Sequence, residues 1–580
     1  MEYLGKAVVE GIGMGKVQLL LSTFDHELEA YEKEDQKAEK EKLQKAIEGG
    51  LEQIDKILDQ ARKGTNKDQI AIMEAHILMM EDPMLQDTID RYIEDGLSAP
   101  EATLRASDEV AAVLGSLDDP YIRERAADVK DVGKRIIRLL LGIPDPKLDG
   151  ENIILCGEDI EPSVIANLSS DQVVGIVMGS GSATSHSVII AKSKGIVTIV
   201  GIGEEVSELK NDEIAIVDGY EGILVMHPDE ATVRKYEEAL KKEEAKREYY
   251  LSLKDLPAVT VNGREITLAT NIGNPKDIDD ALKYGGKGVG LFRTEFVFMG
   301  KKKMPTEEEQ FEAYRYVVER CEGNLCVIRT MDIGGDKPLS YLDIGKEENP
   351  FLGWRAIRIC LERTDIFLTQ IKAILRASAY GKLAIMLPMI IGYEEVIAAK
   401  SLIEEAKTLL EGQGQVYDKN IEVGIMIETP AAVIMSDELA QEMDFFSIGT
   451  NDLVQYTLAV DRGNQRISHL YDHFNPAVLR SIKTVIDGAH KHGKWVGICG
   501  EMAGDPLATK LLVEMGVDEL SMSGPSIPKI KEIIRKMDVK EKIVEEVLKQ
   551  REVKKIRQLL AGTVLANNIS DTINQKEDEK

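Results

Sequence analysis

Residues 445–452 read Phe-Phe-Ser-Ile-Gly-Thr-Asn-Asp (FFSIGTND), a short apolar run that stops on an amide and a carboxylate. Between about residues 256 and 540, runs of this kind alternate with helical patterns. They are Ile266–Ile272, Gly288–Thr294, Cys326–Ile333, Ala384–Ile390, Glu422–Glu428, Phe445–Thr450, Trp495–Cys499 and Glu519–Met522. Eight strand-like runs separated by helices, in this length, predict a (β/α)8 barrel.

A barrel of that type builds its active site where the strands end. Here the ends carry Asn271, Arg293 with Glu295, Arg329 with Asp332, Pro388-Met389, Glu428, Asn451-Asp452, Cys499 with Glu501, and Ser523. Burying such charges without partners costs several kcal/mol each, so they must pair with one another, with a metal or with a ligand. Glu428 and Asp452 offer hard anionic oxygens, and magnesium takes one or two carboxylates with water and substrate phosphate. Arg293, Arg329 and Arg462 present forked donors suited to phosphate or carboxylate. Asn451 and nearby backbone N–H groups add neutral donors. The set describes a pocket for a small phosphorylated acid, with mutual ion pairing as the structural alternative. Cys499, between glycines in Gly497–Glu501, reads equally as core filler or as a proton donor.

Working toward the N-terminus, the texture changes twice. Asp229–Leu251 is dense in Glu and Lys and free of Gly and Pro, which predicts a long exposed helix between two halves. Residues 1–25 and 143–225 are rich in Gly, Val and Ile, with runs at Val173–Met178, Val197–Val200 and Ile214–Val217. Between them Leu43, Ile47, Leu51, Ile54 and Leu58 recur at helical spacing, and further helical patterns cover Gln69–Met80, Met84–Ile93, Pro100–Leu114 and Ile122–Leu141. The expected organisation is an α/β domain over 1–25 and 143–225, a helical subdomain over 26–142, a helical linker over 226–255, a barrel over 256–575 and a frayed charged tail. In the small domain, Ala183-Thr184-Ser185-His186-Ser187 follows a Gly/Ser-rich run. On its own His186 reads as an ordinary surface-loop histidine or as a phosphoryl acceptor, and the apolar Val188–Ala191 run suggests a helix start that would favour an anion there.

Bulk properties remove other classes. The 580 residues exceed one core, which stops growing at roughly 250–300 residues. A net charge of −29 disfavours nucleic acid, whose phosphates need Lys and Arg. No run approaches the ~20 apolar residues of a membrane span. The scattered Cys156, Cys321, Cys326, Cys360 and Cys499 form no disulfide or zinc framework, and the chain reads as cytoplasmic.

Several long segments together resemble enzyme I of the bacterial sugar phosphotransferase system. They are GLFRTEF at Gly290–Phe296, IRTMDIGGDK at Ile328–Lys337, NPFLGWRAIR at Asn349–Arg358, GIMIETPAA at Gly424–Ala432, DFFSIGTNDLVQYTLAVD at Asp444–Asp461 and VGICGEMAGDP at Val496–Pro506. The resemblance covers nearly the whole chain. It implies a multidomain α/β protein with a C-terminal (β/α)8 barrel and a swivelling phosphohistidine domain holding a helical insertion. It implies magnesium on Glu428 and Asp452. Phosphoenolpyruvate would be held by Arg293, Arg329, Lys337, Asn451, Asp452 and Arg462, with Arg355 nearby. Cys499 would protonate the enolate to pyruvate. His186 would carry the phosphoryl group to the phosphocarrier protein HPr. The Glu74–Met79, Asp82-Pro83 and Glu124–Asp128 segments resemble the docking pattern for HPr, and the barrel would form a homodimer. The departures lie around His186. Gly181, Ser182 and Ala183 lack the usual basic residue, Ile165 aligns with a hydroxyl position, and Val9-Glu10-Gly11 replaces Ser-Pro-Gly. Slow transfer, a paralogue serving another carrier, or a phosphoenolpyruvate sensor are the readings these departures keep open.

Overall fold

Ile153–Gly157 is apolar and buried along its whole length. Because successive side chains of a strand point to opposite faces, such a run must be covered on both sides. Ile153 and Leu155 pack into one core, and Ile154 and Cys156 into another. The computed structural model that shows this describes the chain apart from residues 21–23, 65–66, 117–119, 144–149, 169–171, 181–185, 300, 302, 335–338, 340, 343, 346, 465, 540–541 and 563–580. Contacts divide it into two units, Met1–Glu244 and Ala245–Lys580.

The first unit holds an eight-stranded mixed sheet. Its strands are β1 (Glu2–Leu4), β2 (Lys6–Val9), β3 (Ile12–Leu19), β4 (Ile153–Gly157), β5 (Val173–Met178), β6 (Thr198–Val200), β7 (Ile214–Asp218) and β8 (Ile223–Met226), in the order β1-β8-β7-β3-β4-β5-β6-β2. β3 to β6 run parallel, while β7, β8, β1 and β2 join antiparallel. Between β3 and β4 come the helices Asp25–Ala30, Gln36–Gly64, Lys67–Met80, Pro83–Glu94, Ala99–Gly115 and Pro120–Leu141. Ile54, Met73, Ile89 and Val132 of these helices share one core with Leu155, Ile176 and Ile190. The helical insertion therefore covers one face of the sheet. Asp82 and Ser98 cap the two central helices with their side chains, each ahead of a proline in the first turn.

In the second unit β9 (Thr267–Ile272), β10 (Val289–Arg293), β11 (Cys326–Arg329), β12 (Leu383–Leu387), β13 (Glu422–Ile427), β14 (Phe445–Ile448), β15 (Trp495–Ile498) and β16 (Glu519–Met522) close an all-parallel barrel, β16 pairing back onto β9. All eight expected runs are strands. Three overshoot by two residues or more: the strands end at Arg329, Leu387 and Ile448, short of the expected Ile333, Ile390 and Thr450. The residues beyond are also buried, so apolar content could not mark the ends. The helix Thr450–Leu458 begins at once, which places Asn451 and Asp452 in its first turn.

The pleat sets the site. Phe292, Ile328, Ile427, Ile448 and Ile498 face the helices. Leu291, Val327, Met386, Met426, Phe445 and Cys499 fill the interior. Gly424 leaves the space that the Phe445 ring occupies, 2.5 Å from where a Cβ would stand, and Phe445 stacks on Trp495 at 4.4 Å. Two residues beyond Leu291, Val327 and Met426 come Arg293, Arg329 and Glu428, which the same alternation carries into the mouth of the barrel.

Candidate active site

Arg293, Arg329, Asp332, Glu428, Asn451, Asp452, Arg462 and Cys499 line one cavity of about 150 Å³ at the C-terminal ends of the strands. A wider cavity of about 500 Å³ shares Arg293 and Cys499 with it and extends past Asn271 to His473 and Ser523. Arg355 stands behind, 3% exposed. Lys337 lies outside the described residues. In the other unit His186 opens the helix His186–Ser193, and its side chain is likewise outside the description.

The arginines divide into two kinds. Arg329 is clamped between Glu295, to which it donates, and Asp332, 3.1 Å away. Arg355 donates to Asp332 at 2.8 Å and to the Tyr456 hydroxyl at 3.1 Å, and Tyr456 in turn donates to the Phe351 carbonyl at 2.6 Å. Burial opposes both charges, but the neighbouring carboxylates outweigh it and raise both guanidinium pKa values. Arg293 makes no hydrogen bond or ion pair among the described residues. Burial, then the neighbouring Arg329, lower its pKa. It is a cation waiting for an anion.

The carboxylates are the converse. Glu428 Oε1 accepts from the Met389 N–H at 2.6 Å, whereas Oε2 is buried without a hydrogen-bond partner. Asp452 Oδ1 is also buried without one, with the Arg462 guanidinium 3.7 Å off. Burial, reinforced by Asp452 and Asp332, pushes the Glu428 carboxyl up to about 8. Two buried oxygens that repel each other across a small cavity fit a hard cation such as magnesium, whose remaining positions go to water and substrate.

Cys499 is 3% exposed, and burial pushes its thiol up to about 11. Its Sγ makes a long 3.7 Å contact to the Ile448 carbonyl, and the Ser447 hydroxyl beside it partly offsets the effect of burial. A thiol that keeps its proton and faces the cavity can give that proton away. Asn451 is fixed on both sides, its Oδ1 accepting from the Glu501 N–H at 3.1 Å and its carbonyl from the Tyr471 hydroxyl at 2.9 Å.

The residues proposed from sequence on the barrel thus converge, Lys337 excepted. Sequence reasoning missed Tyr456, Tyr471 and the Met389 N–H. Met389 takes φ +60°, a left-handed conformation rare for a bulky residue, and no apolar pattern announces it. It also grouped His76 and Asp128 with a docking pattern. Both are buried, at 0% and 1% exposure, with His76 Nε2 3.6 Å from Asp128 and Nδ1 3.4 Å from Asp131. All five cysteines are free and buried, as their spacing implied.

The arrangement is that of the phosphoenolpyruvate-utilising enzymes. Residues 247–539 match the family described as PEP-utilising enzyme, PEP-binding domain, residues 4–125 its N-terminal domain and residues 149–222 its mobile domain. The phosphoenolpyruvate-protein phosphotransferase of Listeria monocytogenes is 42% identical over 96% of this chain and 98% of the relative. That of Bacillus subtilis is 45% identical over 87% and 90%, and that of Geobacillus stearothermophilus 44% over 94% and 95%. The chain belongs to the phosphoenolpyruvate-protein phosphotransferase family and catalyses phosphoenolpyruvate-dependent phosphotransfer. Among the described residues no helix is long and apolar enough to cross a membrane.

Proposed function

We propose that the protein moves the phosphoryl group of phosphoenolpyruvate to His186 and then to the carrier HPr, releasing pyruvate, as the first step of sugar uptake. The observation that carries the reading is the juxtaposition of an arginine without an ion pair among the described residues, two buried carboxylate oxygens without a hydrogen bond and a protonated thiol around one small cavity. Arg293 and Arg462, with Asn451 and Lys337, bind the anionic substrate, and Arg329 and Arg355 form the rigid cationic wall behind it. Glu428 and Asp452 would hold magnesium, which when bound neutralises phosphate charge. As the bond between phosphorus and the enol oxygen breaks and the imidazole nitrogen takes the phosphoryl group, an enolate remains. Cys499 gives its proton to C3, the enolate closes to a ketone, and water restores the thiol.

Two further parts rest on surface chemistry. On the barrel Ile391, Tyr393 and Ile434 are exposed, the last at 78%, and the Thr429 hydroxyl ties their loops through the Ile390 carbonyl at 2.7 Å. This face suits a homodimer. On the helical insertion Leu78 and Met84 are exposed at 70% and 52% around the acidic Asp82, a face suited to a small carrier. Ile165 is fully buried beside Val188 and Ile190 and offers no hydroxyl to orient His186, which supports slow transfer.

Incubation with magnesium and phosphate-labelled phosphoenolpyruvate tests the relay. Acid-labile label should appear on the wild type, be absent from His186→Ala, and chase onto HPr. Binding without labelling would leave a sensor.

A further inference from the structure

We propose that Asn271 is the positioning residue for Cys499, fixing the thiol so that its proton reaches one face of the enol. This rests on Cys499 as the proton donor.

Pairing between β15 and β16 ends at Ile498 and Leu520, so the ladder does not extend to the carbonyl of Cys499. Asn271 of β9 reaches across β16 to supply the donor. Its Nδ2 donates to the Cys499 carbonyl at 2.9 Å and to the Ser521 carbonyl at 3.2 Å. Its Oδ1 accepts from the Ser521 hydroxyl at 2.6 Å, which fixes the amide's orientation. On the other side the Cys499 N–H donates to the Ile448 carbonyl at 3.1 Å. The next residue, Gly500, lies so close to Thr450 that a Cβ there would sit 1.8 Å from its Oγ1. The backbone on both sides of the thiol is therefore held, while Sγ itself has a long contact to the Ile448 carbonyl and the Ser447 hydroxyl beside it. The thiol's aim comes from the backbone, and one side of that backbone hangs on a single amide. An amide is required: it must donate to two carbonyls and accept from a hydroxyl, and a carboxylate in its place would face two carbonyl oxygens with no donor.

Asn271 borders the wide cavity beside Cys499 and does not line the small cavity that holds Glu428 and Asp452. Its loss should disturb protonation and spare substrate binding. The proton balance is simple: S–H breaks, C3–H forms, the enolate electrons shift to make the new bond, and the thiolate recovers a proton from water.

The test uses the full-length enzyme with phosphoenolpyruvate stereospecifically deuterated at C3, in tritiated water, and reads the chirality of the pyruvate methyl group. Wild type should give one configuration and Cys499→Ala a racemic methyl. Asn271→Asp should give a mostly racemic methyl, with pyruvate formation about 10- to 100-fold slower and KM for phosphoenolpyruvate within about threefold of wild type. Ser521→Ala, which removes only the hydroxyl that orients the amide, should show the same loss more weakly and guards against a folding defect in the first variant. Retained chirality and rate in Asn271→Asp, or a fall in KM-linked binding with chirality intact, would overturn the proposal. One configuration from Cys499→Ala would overturn the reading of Cys499 itself, and the proposal with it.

Discussion

Met389 donates its backbone N–H to Glu428 Oε1 at 2.6 Å from a left-handed conformation, φ +60°. Such a conformation costs of order 1–3 kcal/mol, and here it pins one carboxylate oxygen while leaving the other bare. With burial and Asp452 holding the Glu428 carboxyl near 8, a cation entering the site must displace a proton. Magnesium affinity should therefore rise with pH, up to about tenfold per unit below pH 8, and level off above. Titration calorimetry in buffers of different ionisation enthalpy should detect the released proton at pH 7, and Glu428→Gln should abolish it.

Arg293 and Arg329 should fail differently. Arg293 has no ion-pair partner among the described residues, so Arg293→Ala should leave the melting temperature unchanged while raising KM for phosphoenolpyruvate about 10- to 100-fold. Arg329→Ala takes a buried ion-pair partner from Glu295 and from Asp332, the latter keeping Arg355, and should cost about 3 kcal/mol of stability. Thermal melts and kinetics on the same two preparations check both.

Glu519 lies inside the barrel, 6% exposed, its Oε1 2.5 Å from where a Cβ on Gly290 would stand. Burial pushes it from the ordinary 4.5 up to about 7. The folded chain then keeps a proton that the unfolded chain has released, so stability falls as pH rises from about 4.5 to about 7 and is flat beyond, by up to about 3 kcal/mol. Glu519→Gln should remove that slope and be the more stable form at pH 8, as urea midpoints at pH 5 and pH 8 will report.

The Cys499 thiol, at about 11, should resist iodoacetamide at pH 8 and gain reactivity only as pH climbs toward that value. Mass spectrometry of the Cys499 peptide follows it. Rapid labelling at pH 7 would contradict a proton-donor role.

The barrel was legible because all eight strands are apolar runs of the right length. The site was legible because charges at the ends of such runs are too costly to bury unless they meet a partner, a metal or a ligand. Chain order also revealed which carboxylates and arginines to group. It did not reveal that Arg329 is paired with Glu295 while Arg293 has no ion pair among the described residues, since both stand at a strand end beside an acid. That distinction depends on side-chain direction across neighbouring strands. Nor did it reveal the role of Asn271, which works through carbonyls contributed by two distant strands, or the left-handed turn at Met389.

The alternation that sends Arg293 inward and Phe292 outward gives each strand something like a reading frame. Removing one residue between Val289 and Arg293 would turn an aromatic ring into the mouth and a guanidinium toward the apolar shell, abolishing chemistry and packing in one stroke. Change in this protein should therefore enter by substitution along the strands and by insertion only in the loops between them, so that length, more than identity, is what its eight strands are bound to preserve.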